Sequence, residues 1–178
     1  MRQLTTAKLA HRFMAMLSHG TKEPVRIYFT GGVTALLHGW RDTTVDVDIK
    51  IDPDIDEVMR KLPGLKEELG INIELASPDQ FIPELPGWQE RSIYIATEGN
   101  ISYYHYDPYS QALSKIERSH QRDQEDVANM INDGLIERTR LKELFAQIED
   151  DLYRYPAIDP PSFRRKVEQI TTTPKPDP

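Results

Sequence analysis

The stretch that decides the fold runs from Val25 to Asp52 and reads VRIYFTGGVTALLHGWRDTTVDVDIKID. Its first six residues alternate and are rich in β-formers, which predicts a strand ending at Thr30. Gly31 and Gly32 then allow a sharp turn into a short helix, and they let a phosphate approach the main chain at the helix start. The same pair is also typical of a tight turn that binds nothing.

The second half of this stretch carries the clearest alternation of apolar and polar residues in the chain. Val45, Val47, Ile49 and Ile51 alternate with Asp46, Asp48 and Lys50. This predicts a strand with Asp46 and Asp48 on one face, their Cα atoms roughly 6.5–7 Å apart. Like charges this close repel unless a cation lies between them, and Mg²⁺ takes carboxylates together with phosphate oxygens and water. An ordinary solvated strand face is the alternative for an Asp-x-Asp pair taken alone.

Apolar spacing predicts the remaining elements of the first half of the chain. They are a helix over residues 3–19, an exposed helix from Asp54 to Leu69 interrupted near Pro63-Gly64, a strand over Ile71–Leu75 with its three apolar residues towards the core, a loop with a helical turn over 76–90, and a hairpin formed by Ser92–Thr97 and Ile101–Tyr106. Asp107-Pro108 begins a series of amphipathic helices. A last short helix is capped by Asp159-Pro160-Pro161-Ser162 and ends near Ile170.

The order of these elements predicts an α+β fold, a small mixed sheet flanked by helices with a helical C-terminal part. We expect residues 1–106 to form the α/β core, residues 107–170 to form helices packed on it, and residues 171–178, with three prolines, to be a disordered tail.

Composition excludes several classes of function. The 178 residues are 38% hydrophobic and contain no cysteine, which excludes disulfides and thiolate metal sites and fits a cytoplasmic protein. No apolar run approaches a membrane span. The net charge of −7 argues against a general nucleic-acid coat, although a local basic patch could still hold an RNA.

Thr30-Gly31-Gly32 followed by Asp46-Val47-Asp48 resembles the motif of the nucleotidyltransferase superfamily, a glycine pair after the first strand and Asp-x-Asp on the second. The intervening Arg41-Asp42-Thr43-Thr44 looks like the Arg-x-x-Thr stretch of a bacterial subgroup. That subgroup is related to abortive-infection and toxin–antitoxin toxins. Later segments around Lys115, at Arg122–Val127 and at Ile158–Arg164 are similar to the same subgroup, so the resemblance spans about residues 25–165.

This resemblance implies a nucleotidyltransferase-like core and assigns roles to single residues. Asp46 and Asp48 would be catalytic and hold Mg²⁺, or Mn²⁺ in its place, while Gly31 and Gly32 cradle the phosphates. The family also uses a third carboxylate on a later strand, as a metal ligand or as the base for the attacking hydroxyl. Glu74 is our candidate for it, although the family usually has Asp there.

Two alternatives for this third carboxylate stay open, Asp79 and Glu90. The resemblance also places Lys115 on the triphosphate, with Asp123 orienting Lys115 or the substrate. Arg41 is a further candidate contact to phosphate or nucleic acid. The alternative for Lys115 and Asp123 is a solvated helix surface of mixed charge.

The implied activity is Mg²⁺-dependent transfer of an NMP group from an NTP to a tRNA or a protein, in a toxin–antitoxin system with a cognate partner. An alternative is a catalytically inactive binding or regulatory module of the antitoxin type. A third is a structural interaction protein in which the motif occurs by chance.

Overall fold

The computed structural model describes residues 2–172, which divide into two compact units. The sheet unit contains the residues up to Ser77 together with Arg91–Tyr106, and the helical unit contains Pro78–Glu90 and the residues from Asp107 onward. Residues 78–90 thus belong with the helices rather than with the predicted core over 1–106. One contact that holds them there is the Tyr155 hydroxyl, which donates to the carbonyl of Asp79 at 2.8 Å.

The sheet unit is built on one mixed sheet of five strands. The strands are β1 (Val25–Thr30), β2 (Asp46–Asp52), β3 (Asn72–Leu75), β4 (Ile93–Glu98) and β5 (Ile101–His105). Their order across the sheet is β3-β2-β1-β5-β4. The pairs β1–β2 and β4–β5 are antiparallel, whereas β1–β5 and β2–β3 are parallel. The mixed sheet and the predicted hairpin around Gly99 are confirmed.

The hydrophobic core of the sheet unit lies on one face of this sheet. Helices α1 (Ala7–Ser18), α2 (Gly31–Leu37) and α3 (Asp56–Leu69) contribute to it. In β2 the residues Val47, Ile49 and Ile51 are buried in this core, while the residues between them are only partly buried. Because side chains alternate along a strand, Asp46 and Asp48 lie on the face of the sheet opposite the core.

Two local predictions in this unit are wrong. Helix α3 is continuous through Pro63. Its buried residues Val58, Leu62, Leu65 and Leu69 form one apolar stripe that packs into the core, and this burial offsets the roughly 3 kcal/mol that a proline costs inside a helix. Leu75 is 44% exposed rather than buried, since it is the last residue of an edge strand.

The helical unit contains the C-terminal helices. They are α5 (Pro108–Arg118), α6 (Gln121–Asn132), α7 (Arg138–Ile148) and α8 (Pro160–Thr172), preceded in the chain by the short α4 (Trp88–Arg91), with 3₁₀ turns at Pro78–Gln80 and Glu149–Arg154. Helix α5 begins as predicted, since the Asp107 side chain accepts a hydrogen bond from the N–H of Tyr109 at 3.1 Å. The predicted tail falls largely on residues 173–178, which lie outside the described residues, and its first two residues extend α8. Within residues 2–172 no helix is long and apolar enough to cross a membrane.

Candidate active site

The parallel pairing of β2 with β3 brings three carboxylates to one face of the sheet. Asp46 lies opposite Asn72 and Asp48 lies opposite Glu74. Neighbouring strands are about 4.8 Å apart, and residues in register on them point to the same face. The structure therefore places Glu74 beside the Asp46–Asp48 pair. The other two candidates for the third carboxylate, Asp79 and Glu90, belong to the helical unit.

Asn72 links two of these carboxylates. Its side-chain amide donates to Asp46 Oδ1 and to Glu74 Oε1, each at 2.7 Å. One amide group thus uses both of its N–H donors to hold carboxylates from adjacent strands. Sequence reasoning gave Asn72 no role. The only signal was its place two residues before Glu74, on the same face of a predicted strand.

The glycine turn touches Asp48 directly. Thr30, the last residue of β1, pairs in register with Asp48, and Gly31 follows with a φ of +62°. A Cβ atom at Gly31 would lie 2.5 Å from Asp48 Oδ2, so the carboxylate occupies the space that a side chain would need. The left-handed φ and this close approach each require glycine.

Gly32 lies equally close to the segment that precedes β2. A Cβ atom there would lie 2.1 Å from Thr44 Oγ1 and 3.7 Å from Arg41 Nη1. The Thr44 hydroxyl donates to the carbonyl of Asp46 at 3.3 Å, which ties the segment before β2 to the strand itself. The turn is therefore bordered by the Asp48 carboxylate and by the Arg41 guanidinium.

Asp46 and Asp48 are the residues of this site suited to a divalent metal. In the part of the chain that the structure describes, no group of three or more His, Cys, Asp or Glu side chains is arranged to hold a metal ion. Mg²⁺ usually takes one or two protein carboxylates, and phosphate oxygens and water fill its other coordination positions. The close approach of Asp48 to the turn at Gly31 puts one of these carboxylates beside the start of α2, where phosphate oxygens are favoured.

Lys115 and Asp123 lie in the helical unit, within an ion cluster formed by the buried Lys115, Asp123 and Asp126 and the exposed Arg118. Lys115 Nζ lies 2.7 Å from Asp126 Oδ2 and 3.6 Å from Asp123 Oδ1. Arg118 donates two hydrogen bonds to Asp123, at 2.8 and 2.7 Å. Lys115 is 5% exposed and Asp123 4%, so the interpretation as a solvated surface is wrong. A nucleotide contact by these two residues stays a prediction.

Electrostatics favour the ionised form of Asp123. Burial acts to raise the pKa of its carboxyl, but the hydrogen bonds and charge of Arg118, the charge of Lys115 and the N–H of His120 together lower the pKa below its ordinary value. A lowered pKa contributes stability above the pKa of the unfolded chain, and that stability is lost as the pH falls through the folded value.

We expect Lys115→Met to destabilise the protein by roughly 3–5 kcal/mol, because it removes the cation 2.7 Å from the buried Asp126 carboxylate. The matched control is Lys142→Met in the same unit, where the side chain is exposed and a change within about 0.5 kcal/mol is expected. Urea unfolding followed by circular dichroism measures both. Equal stability of the two variants would show that the cluster contributes little.

His105 provides a second test of stability, in the sheet unit. Its ring stacks on that of His38 at 4.3 Å, and its Nδ1 lies 3.3 Å from the Thr34 hydroxyl. Burial and the charge of His38 lower the pKa of His105 to about 3. Between pH 6.5 and 3 the unfolded chain therefore binds a proton here that the folded protein does not.

We expect the free energy of unfolding to fall by up to about 2 kcal/mol between pH 6.5 and 5 through His105 alone. The fall should be absent from His105→Gln and retained in His11→Gln, which changes an exposed histidine of α1. Urea unfolding at the two pH values measures it. The same pH dependence in all three proteins would contradict the assignment.

A mixed sheet with a glycine turn after its first strand and an Asp-x-Asp pair on the adjacent strand is the arrangement that the resemblance to nucleotidyltransferases implies. A family model described as a nucleotidyltransferase of unknown function (DUF6036) matches residues 8–169. The chain therefore belongs to this family. Comparison with curated proteins and with solved structures gave no match.

Proposed function

We propose that this protein transfers an NMP group from an NTP to a hydroxyl group of an RNA, such as a tRNA, or of a protein. The observation that carries the proposal is the contact between Asp48 and the turn at Gly31. It puts a carboxylate suited to a metal beside the partly buried start of α2, where main-chain N–H groups suit phosphate, so that one polyphosphate would engage both.

The phosphate end of this site is the turn at Gly31 and Gly32. Both residues are partly buried and stand at the start of α2, where the helix dipole and main-chain N–H groups favour a phosphate. The Arg41 guanidinium, 3.7 Å from the position of a Cβ atom at Gly32, adds a positive charge and N–H donors that match phosphate oxygens. Arg41 would therefore stabilise the charge of the phosphate groups.

The metal end is the Asp46–Asp48 pair, which would hold Mg²⁺ or, in its place, Mn²⁺. When bound, the ion neutralises charge on the phosphates and orients the α-phosphate. Asn72 keeps Asp46 in place through its 2.7 Å hydrogen bond, and the turn at Gly31 keeps Asp48 in place. Both residues are thus positioned by neighbouring elements before substrate binds.

In the proposed reaction the acceptor oxygen attacks the α-phosphorus in line. The new P–O bond forms as the bond from the α-phosphorus to the oxygen bridging it to the β-phosphate breaks, and pyrophosphate leaves. The acceptor hydroxyl loses its proton. Glu74, which is exposed and held by Asn72, is the proposed base for this proton.

The test is to incubate the purified protein with each α-³²P-labelled NTP, Mg²⁺, and either total RNA or RNA-depleted lysate. We expect label to enter one of the two acceptor pools, to require Mg²⁺ and to vanish in the Asp46→Asn/Asp48→Asn double variant. Label transfer that persists undiminished in the double variant would refute the metal assignment.

The toxin–antitoxin role and a cognate partner are proposed from the resemblance alone. If the protein binds NTP in a thermal-shift assay but labels neither acceptor pool, the inactive regulatory module becomes the better account. Absence of any NTP binding at millimolar concentration would favour the structural interaction protein.

A further inference from the structure

The helical unit contains a cavity of about 450 Å³ that the proposed reaction does not use. It is lined by residues of α5, α6, α7 and α8, together with Ser119. This volume lies within the range of pockets that bind small organic molecules.

The walls of this cavity are partly apolar. Ile116 and Val127 are each 3% exposed, and both line it together with Ile131 and Ile170. Ile131 and Ile170 are partly exposed, so an occupant that covers them removes apolar surface from water. The cavity therefore suits a molecule with an apolar portion.

Four charged side chains also line the cavity, and they divide into two kinds. Lys115 and Asp123 are engaged with each other and with the rest of the ion cluster. Arg138 and Lys166, in contrast, have main-chain carbonyls as their hydrogen-bond partners in the described part of the chain: Arg138 donates to Ile170, and Lys166 donates to Glu117 at 2.6 Å.

These two bonds fix the cations without neutralising them. Arginine has five N–H donors and lysine three, so each keeps donors beyond its bond to a carbonyl. Lys166 belongs to α8 and reaches the Glu117 carbonyl, while Arg138 of α7 reaches the Ile170 carbonyl of α8. In a chain of net charge −7, these two cations line the same cavity as the apolar side chains.

We propose that the cavity binds a small organic anion. Its anionic group lies at Arg138 and Lys166, and its apolar part lies against Ile116, Val127 and Ile131. This site lies wholly within the helical unit and does not depend on the proposed transfer reaction.

The probe for the test is 8-anilino-1-naphthalenesulfonate, which combines an anion with aromatic rings, titrated by fluorescence into the full chain without NTP or Mg²⁺. We expect saturable binding of one probe per chain. Lys166→Glu should weaken it by about tenfold or more, as loss of a charge-assisted hydrogen bond does. The control Lys142→Glu, the same charge change at an exposed residue that does not line the cavity, should alter the affinity less than twofold.

A second pair of variants tests the place of binding. Ala128 is an exposed residue of α6 that lines the cavity, so Ala128→Trp fills the cavity without opening the core. Ala146 is exposed on α7 and does not line it, which makes Ala146→Trp the matched control. We expect Ala128→Trp alone of this pair to abolish saturable binding.

The proposal requires saturable binding by the wild type and its loss or weakening in both cavity variants. Unsaturable binding, or wild-type affinity in either Lys166→Glu or Ala128→Trp, would overturn it. Near-UV circular dichroism tests whether each variant is folded. If Lys166→Glu is not folded, Arg138→Gln takes its place. Asp48→Asn should bind the probe normally, so failure of the transfer proposal and failure of this one are distinguishable.

Discussion

Asp48→Asn should lower the rate of nucleotidyl transfer by about a thousandfold or more while leaving the fold intact. Asparagine has nearly the same shape, so the side chain still fits against Gly31, but the negative charge that would hold the metal is gone. Losing several kcal/mol of transition-state stabilisation corresponds to a change of this size. Initial rates of label transfer at saturating NTP and Mg²⁺, measured for the wild type and for Asp48→Asn, give this ratio of rates.

The matched control for this variant is Asp52→Asn. Asp52 lies on the same strand and the same face as Asp48, four residues further along, and pairs with Arg26 at 3.4 Å. The pair is solvent-accessible, so its loss should cost roughly 0–1 kcal/mol of stability and leave the transfer rate within about twofold. A similar loss of activity in both variants would mean that negative charge in general, rather than Asp48, is required.

Gly31→Ala should lower transfer by about a hundredfold or more, with only a modest loss of stability. The left-handed φ of +62° costs a side chain about 1–2 kcal/mol. The new Cβ would also stand 2.5 Å from Asp48 Oδ2, which forces the carboxylate out of its place. Because a side-chain carboxylate can rotate, this displacement affects activity more than stability, and a small misplacement of a catalytic group is known to cost this much.

Gly39→Ala separates the cost of a left-handed φ from the displacement of the Asp48 carboxylate. Gly39 has a φ of +78°, yet a Cβ atom there meets nothing within 4 Å. We expect both glycine variants to lose about the same free energy of unfolding, but only Gly31→Ala to lose transfer. Urea unfolding and initial rates measured on the same preparations decide the point. Equal activity of the two would show that the contact between the turn and Asp48 is unimportant.

The site could be predicted from the sequence where the signal was local. Alternation along β2 places Asp46 and Asp48 on one face without reference to any other element, and the glycine pair predicts its own turn. Glu74 is different, because its place beside Asp48 depends on the parallel register of β3 with β2. No local pattern specifies that register, so two other carboxylates stayed open.

Other features depended on packing that the sequence pattern does not record. Asn72 looked like an ordinary polar strand residue, and only the register shows that its amide links two strands. Pro63 looked like a break, but the apolar stripe of α3 carries the helix through it. The charges around Lys115 looked like a solvated surface, because mixed charges at helical spacing do not reveal which of them pair in the interior.

The most direct test of the central claim is isothermal titration with an NTP analogue that carries a methylene bridge between its α- and β-phosphates. The wild-type protein should bind it in the presence of Mg²⁺, and far more weakly when EDTA replaces the metal. The Asp46→Asn/Asp48→Asn double variant should lose this Mg²⁺ dependence. Equal binding with and without Mg²⁺ in the wild type, or full Mg²⁺-dependent binding by the double variant, would contradict a metal-assisted phosphate site at Asp46, Asp48 and the glycine turn.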